Sequence, residues 1–205
     1  SSAAVADNVD AVQELRFEPI DVKRSRDVPV KVYLSTSRTP QPVVLFSHGL
    51  GGSRENNAYL GRHWAAAGYV AVFMQHAGSD EAVWKEAKGA ERFTKLKAAA
   101  NLENALARFA DVTAVLDQLE KWQGEKGHWL SGKMDLTRVG MSGHSFGAVT
   151  TQAVSGQGGF QGGAKYTDAR IDAALAMSPS LPAWGTPEAA FGKVKVPWML
   201  MTGTE

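Results

Sequence analysis

Two residue patterns in this chain could do chemistry together. The first is Gly143-His144-Ser145-Phe146-Gly147, of the form G-x-S-x-G. That spacing suits a sharp strand-to-helix turn that lifts one serine hydroxyl above the edge of a sheet. The serine backbone is strained in such a turn, and a side chain at either flanking position would clash, so both flanks are glycine. Ser145 is therefore expected to be a nucleophile; the plain alternative is an ordinary glycine-rich turn. The second pattern is Ser47-His48-Gly49-Leu50-Gly51-Gly52. Acyl transfer develops negative charge on the carbonyl oxygen, and each backbone N–H aimed there lowers the barrier by on the order of 3 kcal/mol. The expected donors are the N–H of Phe146, the residue after the nucleophile, and that of Leu50. If the second pattern is only a tight turn, His48 shapes the loop. In neither case is His48 expected to be a base.

A serine nucleophile needs a base to take its proton and an acid to orient that base. With a serine on this kind of turn, the chain order is nucleophile, acid, histidine. The five histidines are His48, His63, His76, His128 and His144, and all precede or adjoin Ser145 on its N-terminal side. The side chain of His144 is expected to point away from its neighbour, and His76 to lie at the surface near the site edge, with substrate contact as the alternative. Acidic residues after Ser145 are Asp168, Asp172, Glu188 and Glu205. Asp168 and Asp172 flank a strand start and are expected to be solvated. Glu205, or its neighbour one residue on, is the candidate acid; otherwise it is a turn residue. The expectation is a truncated chain, with the histidine, a further strand and a closing helix in roughly 60 to 100 residues beyond Glu205.

The elements that must position these residues alternate. Gln13 to Val22 and Pro29 to Leu34 mix β-branched and polar residues and are expected as antiparallel strands. Continuous apolar runs at Val43 to Phe46, Tyr69 to Met74, Leu136 to Met141, Ile171 to Met177 and Pro197 to Thr202 fit buried parallel strands. Helices are expected at Asn57 to Ala67, Asn101 to Trp122 and Ser145 to Val154. In the second of these, Leu102, Leu106, Phe109, Val112, Val115, Leu116 and Leu119 form one apolar face. Residues 77 to 100 form an insertion with helical pieces, and Lys85 to Lys97 a solvated charged face. Gly156 to Gly163 is a mobile glycine-rich loop. The alternation predicts a mostly parallel central sheet with helices on both faces, in one domain over 1–205.

These residues resemble the α/β-hydrolase superfamily. Within it the chain is similar to platelet-activating-factor acetylhydrolases and to bacterial proteins often labelled dienelactone hydrolases. The resemblance rests on Phe46-Ser47-His48-Gly49-Leu50-Gly51, Gly68-Tyr69-Val70-Ala71-Val72 and Gly143-His144-Ser145-Phe146-Gly147. It spans roughly Pro42 to Glu205. It implies an α/β-hydrolase fold lacking its C-terminal strand and helix, and a calcium-independent serine esterase acting on lipid or other small esters. The family's nucleophile falls on Ser145 and its oxyanion donors on Leu50 and Phe146. Dienelactone hydrolases proper use cysteine at this point, so serine counts against that activity. Bacterial polyester hydrolases share the Ser145 pentapeptide. A catalytically silent scaffold used for binding is the remaining alternative.

Composition narrows the classes further. The chain has 205 residues, 44% hydrophobic and 21% charged, which excludes a disordered or collagenous chain. Its 22 basic and 21 acidic residues give a net charge of +1, with no electrostatic footprint for nucleic acid. Cysteine is absent, which removes thiol nucleophiles and disulfides. No metal-ligand pair on a helix and no phosphate-cradling signature occurs, so no cofactor is expected. No run of ~18 apolar residues is present, so no transmembrane segment is expected. The start, Ser1-Ser2-Ala3-Ala4, leans towards a secreted or periplasmic protein. Among the six tryptophans, Trp64 is expected in the core and Trp122 at a helix end. Trp84, Trp129, Trp184 and Trp198 are candidates to rim an apolar acyl pocket, with ordinary packing as the alternative.

Overall fold

A computed structural model describes residues 11–159, 164–181 and 185–203. In chain order the strands and helices are β1 (Gln13–Phe17), β2 (Ile20–Asp21), β3 (Arg26–Asp27), β4 (Val30–Leu34), β5 (Gln41–Ser47) and α1 (Ala58–Ala66). Then come β6 (Val70–Met74), α2 (Ala90–Ala99), α3 (Leu102–Gly124), β7 (Met134–His144), α4 (Phe146–Val154), β8 (Ala173–Met177), α5 (Pro187–Phe191) and β9 (Trp198–Met201). Seven strands form one sheet in the order β1-β4-β6-β5-β7-β8-β9. β1, β4 and β6 pair antiparallel, and β6, β5, β7, β8 and β9 pair parallel. This mostly parallel sheet with helices has the architecture of an α/β-hydrolase fold, as the alternating pattern requires.

The strand pleat explains why both faces are covered. Val43 and Leu45 of β5 and Val70, Val72 and Met74 of β6 share a core with Phe109, Val112, Val115, Leu116 and Leu119 of α3. Their immediate neighbours Phe46, Ala71 and Phe73 lie in a second core with Ala65, against which Leu60 and Trp64 of α1 pack. A strand sends successive side chains to opposite faces, so unbroken apolar runs serve both cores at once. Val112, Val115, Leu116 and Leu119 are essentially fully buried, which stabilises the fold by roughly 2 kcal/mol for each side chain. Leu102, in the first turn of that helix, is instead exposed. The helix starts where Asn101 accepts the N–H of Asn104 at 2.9 Å, a side-chain N-cap.

Several boundaries differ from the sequence expectation. The single strand expected over Gln13 to Val22 is two, because β2 leaves the sheet to pair with β3. β7 is longer than the expected Leu136 to Met141 because its pairing with β5 continues from Met134 to Gly143, across an irregularity between Pro42 and Val43. β9 was expected to be buried, yet Met199, Leu200 and Met201 are exposed, because it pairs with β8 alone among the described strands. Within residues 77–100 a single 3-10 turn at Glu81–Val83 precedes α2, and Lys85–Glu81 and Lys95–Glu91 ion pairs line its solvated side. Part of the glycine-rich stretch expected at Gly156 to Gly163 lies outside the described residues, as do Trp184 and Glu205.

Parallel register decides where chemistry can gather. Ser47 pairs with Met74 and with Gly143, and His144 pairs with Met177. The carboxyl ends of β5, β6, β7 and β8 therefore stop at one edge of the sheet, and the loops that follow them are neighbours. In open parallel sheets that edge holds the ligand.

Candidate active site

Ser145 sits between β7 and α4 with φ 54° and ψ −115°. A residue with a side chain adopts that backbone only when its surroundings impose it. Here the imposition is visible. The Ser145 N–H donates to the Met177 carbonyl at 2.9 Å, and the N–H groups of Ala148 and Val149 return to the Ser145 carbonyl. A Cβ on Gly143 would overlap the Gly147 carbonyl, and one on Gly147 would overlap the Ser47 carbonyl. Both flanking glycines are thus needed for close backbone approach. Ser145 is exposed at the N-terminus of α4, and its hydroxyl has no hydrogen-bond partner among the described residues.

The loop after β5 packs directly against this turn. A Cβ placed on Gly49 would stand 3.4 Å from His144 Nδ1 and 3.7 Å from Ser145 Cβ. The N–H groups of Leu50 and Phe146 donate to no acceptor among the described residues. The flanks of Leu50 are tied down: Gly52 N–H donates to Gly49 O at 3.1 Å and Gly51 N–H to Ser79 O at 2.8 Å. Trp84 donates its indole N–H to the Gly51 carbonyl at 2.7 Å, so this tryptophan braces the loop. Trp129 is 65% exposed. Trp198 bonds to the Ser155 carbonyl and lines an apolar cavity of about 490 Å³ with Gln152, Pro179, Leu181, Phe191 and Leu200. Pro179 and Leu181 come from the segment that follows β8. Trp64 packs in the second core, and Trp122 stacks on His128 with centroids 4.8 Å apart.

Behind the loop lies a buried polar cluster that the sequence expectation missed. His76, expected at the surface, is fully buried, because β6 ends beneath α3. Its Nδ1 lies 2.9 Å from Asp111 Oδ2 and its Nε2 2.9 Å from Ser47 Oγ. A carboxylate only accepts, so Nδ1 carries the proton and Nε2 accepts from the Ser47 hydroxyl. This Asp-His-Ser chain has the connectivity of a hydrolase triad, but Ser47, His76 and Asp111 are all without solvent exposure. No substrate reaches Ser47. The His76 N–H donates to His48 Nε2 at 3.2 Å, so a neutral His48 holds its proton on Nδ1 and donates it to Gly49 O at 2.6 Å. Arg24 and Arg26 donate to Asp111 from the other side at 2.8 to 3.0 Å.

Arg108 completes the cluster. Its guanidinium donates to His48 O at 2.6 Å and Ser79 Oγ at 2.8 Å, and lies 4.4 Å from the Phe146 ring centre. Arg108 and Asp111 precede Val112 and Val115 by four residues each, which puts both on the buried arc of α3. Charged residues inside an apolar stripe were the available signal for this cluster.

Electrostatics follow from burial. Burial works against the Asp111 carboxylate, but the hydrogen bonds from His76 and Arg26 outweigh it and hold the group well below the usual carboxylate range. Burial, then the Arg108 charge, pushes His76 down to about 4 despite the pull of Asp111. Burial, then His76 and Arg108, likewise pushes His48 well below its ordinary value. Burial lowers Arg108 to about 9, so it remains charged at neutral pH. Both histidines are neutral when folded. As pH falls below the usual 6.5, the unfolded chain takes up protons that the folded rings refuse, His76 until near 4. Stability is therefore full above about pH 6.5 and is lost towards pH 4, at up to about 1.4 kcal/mol per pH unit for each histidine. Asp111 extends the loss below the ordinary 3.8. Urea midpoints measured from neutral to mildly acidic pH are expected to show this slope, and His76→Asn to flatten it. A midpoint independent of pH over that window would contradict the neutral buried rings.

The other candidates are placed apart. His63 is exposed on α1, and His144 is exposed beside the serine. None of the five histidines hydrogen-bonds Ser145. Asp168 was expected to be solvated, but its side chain is 8% exposed and pairs with Arg170 at 2.7 Å, since the segment before β8 folds onto α3. Asp172 is exposed and caps the Val139 N–H at 2.8 Å. Glu188 lies exposed in the first turn of α5. Among the described residues no group of three or more His, Cys, Asp or Glu side chains could hold a metal ion, and no helix is long and apolar enough to cross a membrane.

Comparison with known proteins bears on the family and the fold. The profile of the family described as platelet-activating factor acetylhydrolase, isoform II, matches residues 22–171. No curated protein sequence matches the chain. Among solved structures, a protein described as a dienelactone hydrolase from Klebsiella pneumoniae subsp. pneumoniae is similar, with a TM-score of 0.62 and 16% identity over 94% of this chain and 72% of that one. A ferulic acid esterase from Streptomyces cinnamoneus is similar with a TM-score of 0.61 and 18% identity, over 98% of this chain and 75% of that one. At these identities the likeness is one of fold.

Proposed function

Because the chain belongs to the platelet-activating factor acetylhydrolase, isoform II, family, we propose that it hydrolyses carboxylic esters through an acyl-enzyme on Ser145. The substrate is a small-molecule or lipid ester carrying a short acyl group. The observation that carries the reading is the strained, exposed Ser145 at φ 54°, flanked by two glycines that admit no side chain.

The chemistry runs from that geometry. Ser145 Oγ attacks the ester carbonyl, and the carbonyl oxygen becomes an oxyanion as the serine proton leaves to a general base. The N–H groups of Leu50 and Phe146, which have no other acceptor among the described residues, receive the oxyanion. The alcohol leaves with a proton, and water then attacks the acyl-enzyme and returns Ser145 to its free form. The N-terminal end of α4 adds its favourable dipole to the same charge. The five histidines described above make no hydrogen bond to Ser145, so they do not supply the base in this arrangement.

A fluorophosphonate that traps activated serines tests the proposal. The full-length protein is expected to gain one adduct, mapped by tryptic mass spectrometry to Ser145. Labelling of another serine, or of none, would reject the acyl-enzyme assignment.

A further inference from the structure

The two N–H donors proposed above lie on different loops, about 96 residues apart in sequence, and something must fix them relative to each other. One side chain touches both loops. Arg108, fully buried on α3, donates to the His48 carbonyl at 2.6 Å and faces the Phe146 ring at 4.4 Å. It also donates to Ser79, at 2.8 Å to the hydroxyl and 3.3 Å to the carbonyl, and lies 3.4 Å from Ser47 Oγ and 3.3 Å from His48 Nδ1. The same Ser79 carbonyl receives Gly51 N–H at 2.8 Å. Arg108 therefore anchors the loop on both sides of Leu50.

Peptide geometry carries that anchoring to the donor itself. The chain has no cis peptide bond among its described residues, so the Gly49 carbonyl and the Leu50 N–H point in opposite directions across one plane. Gly49 O is held by His48 Nδ1 at 2.6 Å and by Gly52 N–H at 3.1 Å. Holding that oxygen aims the Leu50 N–H the other way. Arg108 fixes the residue from which that grip comes. None of the direct ion pairs among the described residues includes it, and the nearby Asp111 is bonded by Arg24, Arg26 and His76. The Asp111 and Asp80 carboxylates favour its charge from a distance, but burial still costs more than they return, so its direct partners are neutral acceptors and a ring face.

We propose that Arg108 is the positioning residue of the oxyanion hole, a buried planar guanidinium that holds the Leu50 loop and the Phe146 turn in one register. This rests on the reading of Ser145, Leu50 and Phe146 given under Proposed function.

The test compares hydrolysis of 4-nitrophenyl acetate with its thionoester, in which sulfur replaces the carbonyl oxygen and accepts hydrogen bonds poorly. A working oxyanion hole favours the ester, and the ester-to-thionoester rate ratio reports its alignment. In the full-length protein, Arg108→Lys keeps a charge but loses the planar fork. It is expected to lower kcat for the ester roughly 10- to 100-fold with little change in KM, and to shrink the ratio about 10-fold. Ser79→Ala removes one Arg108 acceptor by deleting a single buried oxygen, and is expected to shift the ratio severalfold in the same direction. Arg170→Gln, which breaks ion pairs to Asp117, Glu120 and Asp168 away from the site, is expected to lower the thermal midpoint and leave the ratio unchanged. If Arg108→Lys gives no folded protein, Ser79→Ala decides. An unchanged ratio in the folded Arg108 or Ser79 variants would overturn the proposal, as would an equal fall in Arg170→Gln. If Ser145→Ala is inactive while the ratio holds, only this inference fails. If Ser145→Ala remains active, the site reading fails with it.

Discussion

Replacing Ser145 with alanine is expected to lower kcat for ester hydrolysis by roughly 10⁴-fold or more, leaving the residual rate that oxyanion donors and binding supply on their own. The reason is local. Ser145 offers the exposed hydroxyl at the carboxyl edge of the sheet, beside two unpaired N–H groups. Alanine removes the atom that forms the acyl bond and leaves the turn intact. It also leaves the strain, because alanine at φ 54° is no better placed than serine. Glycine is better placed. Ser145→Gly is expected to be equally inactive yet more stable than Ser145→Ala, by about 1 kcal/mol from relief of the left-handed backbone. Steady-state hydrolysis of 4-nitrophenyl acetate and thermal unfolding, run on both variants of the full-length protein, check the two halves. Substantial turnover in Ser145→Ala would sink the nucleophile. A glycine variant less stable than the alanine variant would mean that the turn stores no strain.

Removing the Asp111 carboxylate is expected to be the most damaging single change for stability, at about 3–5 kcal/mol. Asp111 is fully buried and receives His76 Nδ1–H, Arg24 and Arg26. Asp111→Ala would leave Arg26 with no carboxylate and Arg24 with Asp21 alone, close to a third guanidinium, Arg108. Charge so left costs more than the pair contributed when intact. The loss is a large part of a typical stability of about 5–15 kcal/mol. Urea unfolding measures it directly. The sign with pH is also expected: the variant should lose the part of the acid dependence that Asp111 contributes below its ordinary 3.8. A cost below about 1 kcal/mol would mean that the arginines relax into solvent, and that the cluster is not held by charge.

How much of this was legible beforehand depends on the range of the interactions involved. The turn at Ser145 was legible because its demands are met within five residues: two glycines, a buried strand before and a helix after. The mostly parallel sheet was legible because β5 and β6 are continuous apolar runs, and only strands covered on both faces need that. The Leu50 loop could be named for the same reason as the turn. Its surroundings could not. His76 looked like a surface residue because it follows a strand end, and only the packing of α3 across that end buries it. Asp168 looked solvated because charged residues before a strand usually are, and only Arg170, Thr113 and their helix cover it.

The amino-acid sequence by itself determined the elements, the strained serine and the glycine-rich loop, because backbone strain and pleat period are local properties. The tertiary structure alone decided that Arg108 meets His48 across 60 residues and that Asp111 meets His76 across 35. Those contacts set which charges are buried, and burial fixes their protonation and their cost. A polar side chain has no such character until the chain that covers it is in place.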